Sequence, residues 1–195
     1  RIMLSGKDIK QLKAFKIAIK CNYKINRKIY KRKKHRAGRS DYEDRCWITV
    51  CSKRMVEDLT KLGCHERKTF SLNFPSAKQV NQKFISHFIR GYFDGDGSIY
   101  LSKNGVRNNK QRFSWGVNLV STDGFIKALH LLLKKYKIES KVRVNKVSGG
   151  ISSLEIKKKN AIRSFGKFIY QNSKVCMDRK LKLFNKYEKH YVLSA

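Results

Sequence analysis

The chain has 195 residues, and its 46 lysines and arginines against 14 aspartates and glutamates give a formal net charge of +32. This excess indicates a polyanionic partner, with nucleic acid as the leading candidate, because neutralised phosphates release counterions. No stretch approaches the roughly 20 apolar residues that span a bilayer, and the 11% aromatic content excludes a disordered basic tail. The five scattered cysteines contain no Cys-x-x-Cys pair, which is typical of reduced thiols in an intracellular protein.

The first third of the chain alternates between strand and helix patterns. The predicted elements are a strand over 1–5, a helix over 9–19, a strand over 46–51 and a helix from about residue 53. Residues 23–45 are rich in lysine and arginine, which favours a hairpin that contacts DNA, although a solvated hairpin tip has the same pattern. Residues 65–79 hold the only proline and almost no helical pattern, so they are predicted to be a linker.

The stretch 84–98 combines an aromatic helical face with two carboxylates. Apolar residues at helical spacing predict a buried face made of Phe84, Ile85, Phe88, Ile89, Tyr92 and Phe93. The helix ends in Asp94-Gly95-Asp96-Gly97, where two anions meet the negative end of the helix dipole, so a cation is expected beside them. Gly91 and Gly95 are four residues apart on one face, where a second helix could approach closely.

Residues 89–97 resemble a LAGLIDADG motif, the signature of a family of homing endonucleases and related maturases. They keep its first glycine and its Asp-x-Asp-Gly ending, and depart from it in the first two positions. In that family two such helices pack through their small residues, and the last acidic residue of each binds catalytic metal. The resemblance implies that Asp96, with the Gly95 carbonyl, binds Mg²⁺ or Mn²⁺, which prefer oxygen ligands. Gly91 and Asp94 are expected to be structural.

The rest of the chain predicts a second copy of the first part. Strands are predicted over 98–103 and 112–120, a helix over 123–133, a hairpin over 142–157 and helices over 160–170 and 178–187. The order strand, helix, hairpin, helix occurs twice, and only the second copy is preceded by a motif helix and one further strand. We therefore predict an α+β fold of tandem αββαββα repeats, with a first repeat over 1–75 that lacks its motif helix and a second over 76–195. The two antiparallel sheets are expected to form one DNA-binding saddle, packed through LAGLIDADG helices.

Further site residues are predicted from the strand ends and the basic strands. The family often places a basic residue at the end of the last strand of a repeat, and Lys157 occupies that place, so it is a candidate catalytic residue; a phosphate contact without a chemical role fits it equally well. Ser121 could hold a water in the site or cap the following helix. The candidates for DNA contacts are Lys31, Lys33, Arg39, Lys103, Arg107, Lys110, Arg112, Arg143 and Lys146.

The predicted function is a site-specific homing endonuclease that hydrolyses DNA phosphodiesters with Mg²⁺ and makes a double-strand break at a long site, in intron or intein homing. A DNA-binding regulator of the same fold without cleavage, or an RNA intron maturase, remains open. The expected partner is double-stranded DNA and no membrane, in an organelle, a bacterium or a phage. The first copy has no motif helix within this sequence, so a second acidic motif is expected from an upstream segment or from another chain.

Overall fold

The computed structural model describes residues 1–31, 42–64, 66, 68–145 and 149–192. Within these ranges it contains six α-helices and seven β-strands. The chain divides into two compact units, Arg1–Arg54 and Met55–Ala195. In the described ranges, no helix is long and apolar enough to cross a membrane.

The first unit is a small antiparallel sheet with one helix. Its elements are β1 (Ile2–Ser5), α1 (Ile9–Ala18), β2 (Ile25–Lys31) and β3 (Tyr42–Ile48). The strand order is β1-β3-β2. Leu12 of α1 packs on Cys46 and Ile48 of β3 to form the buried core, because the apolar positions of the helix recur at helical spacing and those of the strand at every second residue. Helix α2 (Lys53–Lys61) follows at the boundary between the units and has no fully buried residue.

The second unit has a larger core between a four-stranded sheet and its helices. Its elements are α3 (Ile85–Asp96), β4 (Ser98–Arg107), β5 (Lys110–Thr122), α4 (Asp123–Lys135), β6 (Lys141–Val144), β7 (Ile151–Ile156), α5 (Lys159–Tyr170) and α6 (Asp178–Val192). The antiparallel strand order is β4-β5-β7-β6. Val117 and Leu119 of β5 and Leu154 and Ile156 of β7 are fully buried, so one face of this sheet points into the core.

The two sheets share one topology. When β5, β6 and β7 are compared with β1, β2 and β3, the order β5-β7-β6 reproduces β1-β3-β2, and β4 is the additional strand. In both units a helix follows the first of these strands and a hairpin follows the helix. The predicted α+β class with two antiparallel sheets is therefore confirmed. The division into sequence repeats at residue 75 stays a prediction.

The β4–β5 hairpin is longer than the predicted strands 98–103 and 112–120. Its turn residues Asn108 and Asn109 have φ angles of 50° and 56°, the left-handed conformation that a tight hairpin turn requires at both positions. The strand register shifts between Lys103 and Val106, next to Gly105 with a φ of 72°. Asn104-Gly105, which lies between the two predicted strands, is therefore part of a bulge within the continuous strand β4.

Part of the predicted linker 65–79 belongs to the core of the second unit, so that prediction is wrong for those residues. Leu72 and Phe74 are partly buried against the core, and the rings of Phe74 and Phe125 meet edge to face with centroids 5.2 Å apart. The Thr122 hydroxyl donates a 2.5 Å hydrogen bond to the Leu72 carbonyl. The sequence pattern did not predict this packing, because the segment is irregular backbone without helical periodicity.

Candidate active site

The motif helix α3 buries one side and exposes its glycines. Ile89 and Phe93 are at most 1% exposed, whereas Gly91 and Gly95 are exposed. A Cβ atom added at either glycine would meet no described atom within 4 Å. This side of the helix therefore has room for a neighbouring helix.

The aromatic residues predicted to form the buried face of the motif helix differ in how far they are covered. Phe93 is fully buried, and Phe88 packs on the core with its ring 5.9 Å from that of Phe74. Only Phe84, which precedes the α-helix, is 52% exposed. The second unit itself therefore covers Phe93 and packs against Phe88, and it leaves Phe84 exposed.

Asp94, the first acidic residue of the motif, is buried and held by hydrogen bonds. Its carboxylate accepts one bond of 2.7 Å from the Tyr170 hydroxyl and one of 2.9 Å from the Met177 backbone N–H. Burial, reinforced by the Asp94 carboxylate, raises the pKa of Tyr170, so the phenol stays a donor. These contacts fix the end of α3 to α5 and to the segment before α6.

The cation expected at the negative end of α3 is Lys180, from α6. Its side chain is 3% exposed. The ammonium donates to the carbonyls of Phe93 at 2.6 Å, Asp94 at 2.7 Å and Gly97 at 2.6 Å. A buried ammonium at a helix C-terminus compensates the helix dipole and gives the carbonyls of the last turn a donor; the Phe93 carbonyl also accepts a 2.8 Å bond from the Gly97 N–H.

Asp96, the last residue of α3, is exposed. Its charge acts on Tyr92, one helical turn earlier: burial raises the pKa of Tyr92, a hydrogen bond with Ser121 opposes this, and the Asp96 carboxylate adds to the increase. The Tyr92 hydroxyl donates a 2.8 Å bond to the Val120 carbonyl. Tyr92 therefore joins the acidic end of α3 to the end of β5.

Ser121 does not cap the helix that follows it. The N-cap of α4 is Thr122, whose hydroxyl accepts a 3.2 Å bond from the Phe125 N–H. Ser121 is instead buried, at 7% exposure, beside the Tyr92 hydroxyl. The water-holding role that we considered for it stays a prediction.

The oxygen atoms at the end of α3 fit a magnesium site that is completed by other groups. Mg²⁺ is commonly held by one or two carboxylates together with substrate phosphates and water. The exposed Asp96 carboxylate and the carbonyl of exposed Gly95 are donors of this type. Among the described residues, no three His, Cys, Asp or Glu side chains form a cluster able to hold a metal ion by themselves.

We call the face of the four-stranded sheet that points away from the core the open face. Its first residue along the chain is Ser98, two residues after Asp96. Strand register aligns Ser98, Asn118, Glu155 and Lys141 across all four strands. By alternation the open face includes Ser98, Tyr100, Ser102, Lys110, Arg112, Ser114, Asn118, Val120, Lys141, Arg143, Ser153 and Glu155. The acidic end of α3 thus lies at the beginning of a face that carries several cations.

Lys157 follows β7 at the border of the open face and is paired with Glu155. The Lys157 ammonium is 3.4 Å from the Glu155 carboxylate, which also accepts a 2.6 Å bond from Arg143. Burial disfavours ionisation of Glu155, but the hydrogen bonds from Arg143 and Lys157 outweigh it and lower the pKa. The sequence analysis missed Glu155, although an acidic residue beside Lys157 in so basic a chain was a usable signal.

The remaining predicted DNA contacts fall in different places. Lys110, Arg112 and Arg143 lie on the open face, whereas alternation places Lys103 on the opposite face, with Ile99 and Phe113. Lys31 ends β2, opposite Tyr42, and Arg107 pairs with Lys110 at the hairpin end. Lys33, Arg39 and Lys146 lie outside the described residues.

The first sheet carries cation and aromatic pairs on the face that points away from its core. The guanidinium of Arg45 lies 5.6 Å from the ring centroid of Tyr30, and that of Arg1 lies 5.8 Å from Trp47. Arg45 is also held by a 2.8 Å ion pair with Glu43. Sequence reasoning missed these residues, because only the register of β3 against β1 and β2 brings them together.

The site thus combines an exposed carboxylate at the end of a glycine-containing helix with a basic antiparallel sheet in an α+β protein. Residues 83–169 match the family model of the LAGLIDADG-like domain. The predicted resemblance to the LAGLIDADG family is therefore confirmed for this part of the chain.

Solved structures share the fold over nearly the whole chain. The I-SmaMI LAGLIDADG homing endonuclease bound to cleaved DNA matches with a TM-score of 0.55 and 12% identity, over 96% of this chain and 76% of that chain. The LAGLIDADG meganuclease I-AabMI bound to uncleaved DNA matches with a TM-score of 0.52 and 14% identity, over 99% of this chain and 80% of that chain. At such identities these likenesses establish the fold alone. Among curated protein sequences, none matches this chain significantly.

Proposed function

We propose that the protein is a site-specific DNA endonuclease that hydrolyses phosphodiesters with Mg²⁺ or Mn²⁺ and makes a double-strand break. The observation that carries this proposal is the difference between the two acidic residues of the motif. Asp94 is buried with its carboxylate bonded to Tyr170 and Met177, whereas Asp96 is exposed. Structure alone accounts for Asp94, and an exposed carboxylate at the negative end of a helix favours a cation as ligand.

The DNA partner is supported by the charge and by the relatives of the same fold. A net charge of +32 favours binding to phosphates, and I-SmaMI and I-AabMI are proteins bound to DNA. Antiparallel strands with alternating side chains can enter the major groove. Lys110, Arg112 and Arg143 of the open face would then contact phosphates or bases.

Asp96 and the Gly95 carbonyl would hold the metal ion. A bound divalent ion supplies an activated water and stabilises charge on the leaving oxygen. Lys157, held beside Glu155 at 3.4 Å, would place a positive charge near the scissile phosphate. A complete site needs a second acidic motif, and the free space at Gly91 and Gly95 would receive the second helix, from another segment or another chain.

Cleavage selection from a DNA library tests the proposal. Incubation of the protein, together with the segment or chain that supplies the second acidic motif, with a library of random duplexes and Mg²⁺ is expected to enrich one long cleaved site. Cleavage is expected to stop when EDTA removes the metal. Duplex binding without cleavage in Mg²⁺ and Mn²⁺ would contradict the proposal and favour the DNA-binding regulator.

A further inference from the structure

Lys180 is a buried lysine whose positive charge must be compensated by groups of the protein. Lysines are almost never fully buried unless paired, and this one is 3% exposed. An ammonium has three N–H donors, and three carbonyls, those of Phe93, Asp94 and Gly97, lie 2.6 to 2.7 Å from it. Its ammonium also lies 5.1 Å from the centroid of the Phe93 ring. The dehydration of the charge is thus offset by carbonyl dipoles at the negative end of α3.

The three carbonyls belong to residues on both sides, along the chain, of the two residues that would bind the metal. Phe93 and Asp94 precede Gly95 and Asp96 in the chain, and Gly97 follows them, so Lys180 fixes the backbone on both sides of the pair. Two of the residues from 95 to 97 are glycines, which have more backbone freedom than any other residue. Without the lysine, the carbonyl groups of this turn would lose their common partner, and the turn would be free to adopt other conformations.

We propose that Lys180 is the positioning residue of the metal site: it holds the last turn of α3 so that the Gly95 carbonyl and the Asp96 carboxylate present their oxygens together. This proposal rests on the proposed function. Lys180 is buried and contacts the backbone of the turn, so it would act through Gly95 and Asp96 and not as a ligand itself.

The test is the affinity for Mn²⁺ of the complex between the protein and its selected duplex, measured by electron paramagnetic resonance. Lys180→Met, which removes the donors at similar length, is expected to raise the dissociation constant for Mn²⁺ about 10-fold to 100-fold, as loss of a supporting group of a metal site does. Duplex binding without metal should stay within a few-fold of the unsubstituted protein. Lys182→Met, two residues further on α6 and exposed, is the matched control and should leave Mn²⁺ affinity unchanged.

Two further variants separate positioning from stability. Lys180→Gln keeps two N–H donors and is expected to give an intermediate Mn²⁺ affinity, and it replaces the Met variant if that variant does not fold. Tyr170→Phe removes a bond to Asp94 but leaves Lys180 in place, so it should lower the melting temperature without changing Mn²⁺ affinity.

Unchanged Mn²⁺ affinity in both Lys180 variants would overturn the positioning role while leaving the proposed function intact. An equal loss of affinity in Tyr170→Phe would also overturn it, because general loosening would then explain the effect. If the unsubstituted protein neither binds Mn²⁺ in the complex nor cleaves, the proposed function itself fails.

Discussion

Asp94 and Asp96 lie two residues apart on α3 and have opposite environments: Asp94 is 3% exposed and Asp96 is at the surface. Asp94→Asn is therefore expected to destabilise the chain by about 1–3 kcal/mol, because the amide group turns a donor toward the Tyr170 hydroxyl or the Met177 N–H. Asp96→Asn is the matched control and should change stability by less than about 0.5 kcal/mol. Urea unfolding followed by circular dichroism measures both, and equal stability of the two variants would contradict the structural role of Asp94.

The glycines of the motif should respond differently to alanine. Gly91→Ala and Gly95→Ala meet no described atom within 4 Å, so each should stabilise the chain by up to about 1 kcal/mol through helix propensity. Gly97→Ala places a Cβ atom 2.8 Å from the Phe93 carbonyl oxygen and is expected to cost about 1–3 kcal/mol. Thermal unfolding of the three variants checks this order.

The same alanine variants test the second motif helix. If a second helix packs at Gly91 and Gly95, each alanine should lower cleavage activity even though it raises the melting temperature of this chain. Unreduced activity in both variants would show that no helix packs closely on this side.

Glu155 should make stability depend on pH in the acid range. Its pKa is lowered in the folded protein from an ordinary value of 4.5, so its contribution is complete above that pH and is lost as the pH falls through the lower, folded-state pKa. Glu155→Gln is expected to cost about 1 kcal/mol at neutral pH, with the difference from the unsubstituted protein shrinking as the pH falls below about 4.5. Urea unfolding at several pH values measures this, and a difference that does not vary with pH would refute the ion pairs with Arg143 and Lys157.

Binding to duplex DNA should weaken steeply with salt. About 6–10 phosphate contacts correspond to a loss of about 10³-fold to 10⁵-fold in affinity between roughly 50 and 200 mM salt. Lys110→Gln, on the open face, should reduce the slope of log affinity against log salt by about one. Lys127→Gln, exposed on α4, is the control and should leave the slope unchanged. Fluorescence anisotropy gives both slopes, and equal slopes for the two variants would argue against the open face as the binding surface.

The sequence was sufficient where the signal is local. The apolar spacing of α3, its acidic ending and the alternation of the strands each depend on neighbouring residues, and the order strand, helix, hairpin, helix follows from them. It even predicted that a cation must lie at the end of α3. It could not identify Lys180, which lies 83 residues after Gly97 and is one of many lysines on a basic helix.

Contacts made by irregular backbone were also beyond pattern reasoning. Phe74 packs on Phe125 from a segment with no periodicity. The sequence also could not decide which of the neighbouring hydroxyl residues, Ser121 or Thr122, is the N-cap of α4; the structure shows that it is Thr122. Glu155 could have been found, because an acidic residue among basic ones on an outward-facing strand position is itself informative.

The most direct test of the account compares the unsubstituted protein with Asp96→Asn on the selected duplex in Mg²⁺. The substitution removes a metal ligand without changing side-chain size or the basic faces, so cleavage should be abolished while duplex affinity, measured without metal, stays within a few-fold. Full cleavage by Asp96→Asn would contradict the assignment of Asp96 as the metal ligand and with it the proposed active site.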